Sequence, residues 1–381
     1  MRPGRIKIVY VINSLGVGGA ERFAADLACH LDRDRFQPRF LCLYYGGQFA
    51  PEVKAAGIPV EVIGVSRKVV PANWAGVWSR LGTVTADVVH THLHEAAWYG
   101  LPAAYLRRIP VRISHLHGDH WSWPRKLRWL DRAVETFAST SLACSTAVGE
   151  FARAGLRYPP EKLRVVPNAT DLERFQRLPS RDEARASLEL PRSAPILICV
   201  ASLTEAKGQT FLLQAMRSIH AELPEARLLL VGRDRGKTDL SRLAQKNGLG
   251  RSVSILGPRE DVPLLLAASD IAVLPSLREG LPLSLVESAA AGLPAVATTV
   301  GGIPDVVEDG ISGTLVPPGD PTALATAILG LLRDRGRRSV MAEAARRVGG
   351  RFDIRTVTRE LEELYVSMLA RRRGTATLPP R

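Results

Sequence analysis

Three features of the sequence predict an α/β chain of two doubly wound domains. Short β-branched runs alternate with amphipathic stretches through both halves. A polar segment bounded by Pro179, Pro191 and Pro195 interrupts that alternation once. At 381 residues the chain exceeds one ordinary core and suits two.

Taken in order, the first half places strands at Ile6–Ile12, Phe40–Tyr45, Val60–Ile63, Val88–His92 and Val111–Leu116, with a helix over Glu21–Leu31. A short helical piece over Asp182–Leu190 sits in the interrupting segment. The second half then gives a strand at Ile196–Ala201, a helix over Gln209–Glu222 and a strand at Arg227–Val231. A helix over Thr238–Asn247, a strand at Val253–Leu256, a helix over Pro263–Ser269 and a strand at Ile271–Leu274 follow. The last helix, from Thr356 to about Ala370, carries Val357, Leu361, Leu364, Tyr365 and Met368 on one side. Its Arg371-Arg372-Arg373 extension reads as a disordered, solvated charge run. Domains are accordingly expected at 1–180 and 181–355, with a helix and basic tail over 356–381.

Composition is that of a globular α/β protein, 46% hydrophobic and 23% charged. The longest uncharged run, Ser288 to Pro304, is broken by Gly292, Pro294, Gly301 and Gly302, so no segment reads as a membrane span. Ile6 to Ile12 reads as a first strand rather than a signal peptide, and a cytosolic address is expected. Cys29, Cys42, Cys144 and Cys199, scattered in apolar surroundings, read as reduced core residues. The net charge of +13 is biased: residues 1–180 carry 24 Lys/Arg against 15 Asp/Glu, and the remainder 27 against 23. That bias favours an anionic partner for the first half.

The most informative stretch is Arg278-Glu279-Gly280-Leu281-Pro282-Leu283-Ser284-Leu285-Val286-Glu287. Two acids eight residues apart flank a Gly-Leu-Pro turn, and Leu283 opens a helix. An acid, a helix N-terminus and a second acid suit a ligand with hydroxyls at both ends and a diphosphate between them. Gly16, Gly18 and Gly19 lie where strand one turns into a helix, so backbone N–H groups can approach an anion closely. The G-x-G-G spacing does not match a dinucleotide fingerprint. Lys207, before Gly208, stands at the first strand-to-helix connection of the second domain, where a cation meets charge growing on a leaving diphosphate. A solvated surface lysine is the alternative.

Six of the eight histidines are concentrated at His90, His92, His94, His115, His117 and His120. Positions 90, 92 and 94 would share one strand face, which raises a metal site, but no accompanying cysteine, carboxylate or H-E-x-x-H pattern supports one. From Trp121 to Arg132, three tryptophans interleave with Arg125, Lys126, Arg128 and Arg132, with Arg107, Arg108 and Arg112 nearby in sequence. Such a segment suits an anionic bilayer, with Arg125, Lys126, Arg128 and Trp129 at its centre; a half-buried helix with inward tryptophans is the alternative. Nucleic acid is the poorer reading, because no recognised module accompanies the charge.

Five segments in order carry a resemblance: Gly16 to Arg22, Asp87 to His92, Val165 to Asp171, Glu205-Ala206-Lys207-Gly208, and Glu279 to Glu287 followed by Gly301-Gly302-Ile303-Pro304-Asp305. Together they resemble the retaining family 4 glycosyltransferases (glycosyl transferases group 1). The resemblance implies a GT-B fold, with two Rossmann-like domains facing across a cleft and the C-terminal helix crossing back to the first. It implies transfer of a sugar from a nucleoside diphosphate sugar, a UDP-sugar foremost, without cofactor or metal. The implied acceptor is a hydroxyl of a saccharide or lipid-linked saccharide in polysaccharide or glycolipid synthesis. Catalytic roles fall on His117, Lys207 and Glu279, and donor contacts on Gly18, Gly19, Lys207, Glu279, Leu283, Ser284 and Glu287. One departure stands out: Ser202 occupies the position of a usual arginine. A sugar-nucleotide epimerase and a non-catalytic nucleotide-sugar binding protein remain as alternatives on the same fold.

Overall fold

The computed structural model describes residues 4–66, 71–118 and 124–374. Two compact units compose it, Met1–Thr170 with Ile354–Arg381, and Asp171–Asp353. The division falls at 170/171 and 353/354, where the sequence reading placed 180/181 and 355/356. The reason is local: the turn Leu172–Phe175 packs against a helix of the second unit, drawing residues after Thr170 into it.

Unit 1 runs β1 (Ile6–Ser14), α1 (Gly19–His30), β2 (Phe36–Tyr45), α2 (Ala50–Ala55), β3 (Val60–Val62), α3 (Pro71–Gly82) and β4 (Val88–His92). It continues with α4 (His94–Leu106), β5 (Val111–Leu116), α5 (Arg125–Glu135), β6 (Thr140–Ala143), α6 (Thr146–Glu150) and β7 (Leu163–Val165). Its seven parallel strands are ordered β3-β2-β1-β4-β5-β6-β7. The order reverses between β1 and β4, the switch point where a doubly wound sheet leaves a crevice at its carboxyl edge. Burial on both faces explains the near-continuous apolar runs, with Ile8, Val9, Tyr10, Val11 and Ile12 all at most 1% exposed.

Unit 2 opens with α7 (Arg181–Ser187), started by a capping box in which Ser180 and Glu183 satisfy each other's backbone N–H groups. There follow β8 (Ile196–Val200), α8 (Gln209–Glu222), β9 (Arg227–Val231), α9 (Leu240–Lys246), β10 (Val253–Gly257) and α10 (Val262–Ala268). Then come β11 (Ile271–Leu274), α11 (Leu283–Ala290), β12 (Ala295–Thr298), α12 (Ile303–Val306), β13 (Gly313–Val316), α13 (Pro321–Arg333) and α14 (Arg335–Gly349). The six parallel strands are ordered β10-β9-β8-β11-β12-β13, with the reversal between β8 and β11. Arg185 of α7 is fully buried; it donates to the carbonyls of Pro191, Arg192, Ala194 and Ala268 and pairs with Asp270 at 2.7 Å.

The last helix, α15 (Ile354–Arg373), belongs to unit 1 and packs on α1. Val357, Leu361, Leu364 and Tyr365 are buried as expected, Met368 is half-buried, and Thr358, Glu362 and Leu369 join the buried face. Glu362 accepts from the backbone N–H of Asp32 at 2.7 Å, which explains a carboxylate there. The helix continues through Arg371, Arg372 and Arg373, correcting the expectation of a disordered arginine run; no Pro or Gly interrupts 354–373. Among the described residues no helix is long and apolar enough to cross a membrane. All four cysteines are free; Cys29 is half-buried and the others buried.

Candidate functional site

In unit 2 the charged groups gather at the carboxyl edge of the switch-point strands. The loop after β8 carries Lys207, and the loop after β11 carries Ser276 and Glu279. Lys207 Nζ lies 2.7 Å from both carboxylate oxygens of Glu279. Ser276 donates its hydroxyl to Glu279 Oε1, also at 2.7 Å. Glu279 is only 8% exposed, so the lysine and the serine supply what water would otherwise give its carboxylate.

Two glycines make this arrangement possible. Gly208 has φ +68° and would place a Cβ 2.0 Å from the Pro275 carbonyl oxygen, so the Lys207 loop meets the β11 loop only without a side chain there. Gly301, at φ +53°, would place one 1.9 Å from the Glu279 carbonyl oxygen, and Gly302 N–H donates to the Gly280 carbonyl at 2.7 Å. The Gly-Gly pair after β12 thereby fixes the backbone of Glu279 and Gly280.

Helix α11 begins at Leu283 with no side-chain cap, leaving the positive end of its dipole beside that loop. Ser284 and Glu287, three residues apart, are the partly exposed members of an otherwise buried stretch from Leu281 to Ser288. Ser202 lies one strand-end away, with the loop after β9 laid against it. Leu203 N–H donates to the Arg233 carbonyl at 2.9 Å, and Arg235 N–H to the Leu203 carbonyl at 3.0 Å. The loop that carries Arg233 and Arg235 thus pairs its backbone with the residue after the serine, a placement that sequence order does not reveal.

In unit 1, Gly18 and Gly19 form the start of α1 at the switch point, as the strand-to-helix reading requires. Gly18 is extended, and a Cβ there would meet the Glu21 carboxylate at 2.2 Å. This helix N-terminus therefore holds its own acid close to the glycine. Beside it, His92 ends β4 and Leu93 takes φ +73°, an uncommon conformation for a non-glycine residue and one that clusters at functional sites.

His117 follows β5. Its Nδ1 lies 2.8 Å from Asn168 Oδ1 and its Nε2 lies 3.0 Å from His92 Nδ1. Burial among neighbouring rings pushes its pKa down to about 3, against the Asn168 hydrogen bond, which favours the charged form. His117 is therefore a neutral, oriented imidazole at ordinary pH. Burial, first of all, also takes His90, His92 and His115 well below the usual histidine range. The expectation that His90, His92 and His94 share a strand face is corrected: β4 ends at His92, and His94 starts α4, where it meets Asp131 at 2.9 Å. His115 of β5 takes the third place instead.

Helix α5 buries Asp131, Val134 and Glu135 and leaves Trp129 66% exposed. Lys126 is exposed, Arg128 half-buried, and the Arg132 guanidinium lies 5.5 Å from the Trp129 ring centre. Arg125 begins the helix, and its side chain is not among those described; His120, Trp121 and Trp123 also lie outside the described residues. Trp129 thus faces outward, against the alternative of inward tryptophans. Nearby in sequence, Tyr105 and Leu106 are 50% and 57% exposed, and Arg107 stacks over Trp78 at 3.8 Å.

Sequence reasoning missed Ser276, Asn168 and the Arg233 loop. Asn168 sits inside a quoted motif, and Ser276 precedes Glu279 by three residues, but neither spacing announces a partner.

Two parallel doubly wound units with polar loops at their switch points are the architecture of the GT-B fold. Family comparisons agree: the Glycosyl transferases group 1 profile matches residues 180–348, and the Glycosyltransferase Family 4 profile residues 17–174. The D-inositol 3-phosphate glycosyltransferase of Corynebacterium kroppenstedtii is 34% identical over 350 residues, covering 84% of this chain and 77% of that protein. The UDP-Gal:alpha-D-GlcNAc-diphosphoundecaprenol alpha-1,3-galactosyltransferase of Escherichia coli is 25% identical over 378 residues, covering 96% and 98%. Among solved structures, the Anabaena protein HepE in complex with UDP superposes with TM-score 0.83 at 26% identity, covering 95% of this chain and 100% of that one. The chain belongs to glycosyltransferase family 4, and it is a glycosyltransferase.

Proposed function

We propose that the protein transfers a sugar from a UDP-sugar to a hydroxyl of a saccharide or lipid-linked saccharide with retained anomeric configuration. The observation that carries this reading is the Lys207–Glu279 pair, held by Ser276 beside the uncapped start of α11. Unit 2 is the donor unit. Its Lys207 balances charge on the leaving diphosphate, the N–H groups of Leu283 and Ser284 bind the phosphates, Glu287 accepts from the ribose, and Glu279 faces the sugar. No metal is needed for this step, because a cation and a helix dipole already meet the developing charge. The UDP bound by HepE and the UDP-galactose donor named for the Escherichia coli relative support the choice of base.

Unit 1 is the acceptor unit. Gly18 and Gly19 offer backbone N–H groups to an anion, and neutral His117 hydrogen-bonds a sugar hydroxyl when its Nε2 exchanges His92 for that partner. The leaving phosphate, on the same face as the attacking hydroxyl, takes its proton. Helix α5 offers Lys126, Arg128 and Trp129 to anionic lipid, which suits a cytoplasmic enzyme resting on a membrane that carries its acceptor. Nucleic acid is not a partner in this reading.

Calorimetric titration with UDP, GDP and ADP in chelator tests the proposal. UDP binds the wild-type protein, and Lys207→Ala and Glu287→Ala each weaken it by about tenfold or more, as loss of a charged hydrogen bond predicts. Binding of none of the three nucleotides, or equal binding by the variants, overturns the assignment.

A further inference from the structure

We propose that unit 1 contains a buried tris-imidazole site for a divalent transition metal, zinc foremost, formed by His90 and His92 of β4 and His115 of β5. Alternation along β4 puts His90 and His92 on one face of the sheet. The parallel register pairs His92 with His115, which brings a third imidazole to the same face from the neighbouring strand. All three rings are at most 1% exposed, and one ring nitrogen of each lies within 4.8 Å of the other two. Zinc bound at about 2.0–2.1 Å holds tetrahedral nitrogens roughly 3.4 Å apart, so each ring closes on the ion by less than about 1 Å.

The hydrogen bonds present one of these nitrogens, His92 Nε2, as a lone pair. Asn168 offers Oδ1, so His117 donates from Nδ1 and accepts at Nε2 from His92 Nδ1. That leaves His92 Nε2 unprotonated, and it is buried without a partner. His90 Nε2 and the ring nitrogens of His115 are likewise buried without a well-aligned hydrogen bond, the Val166 backbone standing nearest to the His115 ring, while His90 Nδ1 is engaged by the Tyr365 hydroxyl at 2.8 Å. Interiors ordinarily satisfy such atoms, and four in one cluster call for a common partner.

Fixing the remote nitrogen of a histidine through a second hydrogen bond is how proteins orient metal ligands. No carboxylate or thiolate joins the cluster among the described residues, and an all-imidazole set favours zinc, nickel or copper over magnesium or calcium. Tyr10, Phe23 and Tyr365 stand around the rings, so the site is closed to bulk solvent, and a water carried in with the ion would complete the three imidazoles to a tetrahedron. It ties β4 to β5 and, through His92, holds His117.

Because the rings are sealed, loading is tested through refolding. Untagged protein is unfolded in denaturant with chelator, freed of both, and refolded with cobalt or zinc ions. The expected result is about one metal per chain surviving gel filtration, tetrahedral cobalt absorption bands, and a thermal midpoint several degrees above the metal-free sample. His90→Gln and His115→Gln each abolish retention, whereas His220→Gln, outside the cluster, does not. Should a variant fail to refold, nitrogen-15 imidazole spectra of the wild-type protein decide the matter: three rings shift together on zinc loading. Folded protein that retains no metal, or retention unchanged in His115→Gln, overturns the site and leaves water as the partner of the orphaned nitrogens.

Discussion

Ser276 fixes the Glu279 carboxylate without facing the donor in our reading, so it acts as a positioning residue. A hydrogen bond to a charged group contributes about 1.5–3 kcal/mol, so Ser276→Ala lowers kcat by roughly tenfold to a hundredfold. Donor KM changes far less than kcat, and Ser276→Thr restores the rate; a purely structural serine would lower the melting temperature and leave kcat per folded molecule unchanged. The histidines make a second residue-scale statement. Their folded pKa values lie below the ordinary 6.5, with His117 at about 3, so below pH 6.5 the unfolded chain binds protons that the folded one refuses. Stability is complete above pH 6.5 and falls as pH drops toward the folded values, by about 1.4 kcal/mol per pH unit for each ring that stays neutral. Glu135, raised by burial to about 7, works in the opposite sense between about 4.5 and 7 and offsets one ring. Denaturant unfolding in chelator should therefore show a marked loss between pH 7.5 and 5.5, and a flat profile would sink this account.

At the scale of elements, α5 combines an inner face bound to the fold with an outer face of Trp129 and cations. Inside, Asp131 accepts from the Trp98 indole and meets His94, and Glu135 accepts from the Ser141 hydroxyl. These contacts hold the helix in register, so Trp129 cannot turn inward without breaking them. Co-sedimentation with vesicles containing anionic lipid should show Trp129→Ala with Lys126→Ala binding several-fold more weakly, since each cation near such a surface contributes about 1 kcal/mol. Added salt should weaken the wild-type protein further, and equal binding to neutral vesicles would exclude the charge argument.

At the scale of the whole molecule, the two units differ in how the chain builds them. Asp171–Asp353 is one contiguous stretch with its own sheet and core, so expressed alone it should unfold cooperatively and bind the nucleotide of the whole chain. Unit 1 needs α15 from the far end of the chain. Cutting after residue 353 bares the surface covered by Val357, Leu361, Leu364, Tyr365 and Leu369, and at about 1.5–3 kcal/mol per large apolar side chain that approaches a domain's entire stability. Circular dichroism and size-exclusion chromatography of the two fragments check this; a soluble, folded 1–353 chain whose unit 1 melts as in the intact protein would refute it. The sequence alone established the alternation of strands and helices, the family, and the candidate acids and lysine, because periodicity and short motifs are local and survive in one dimension. It reached the start of α11 at Leu283 for the same reason, since Pro282 and the apolar run after it are adjacent in the chain. Only the tertiary structure decided that Lys207 grips Glu279, that Asn168 sets the tautomer of His117, that His115 rather than His94 joins His90 and His92, and that α15 completes unit 1. Those pairings join residues from 23 to 330 positions apart, and strand register and burial choose among such distant partners, which no spacing in the sequence records.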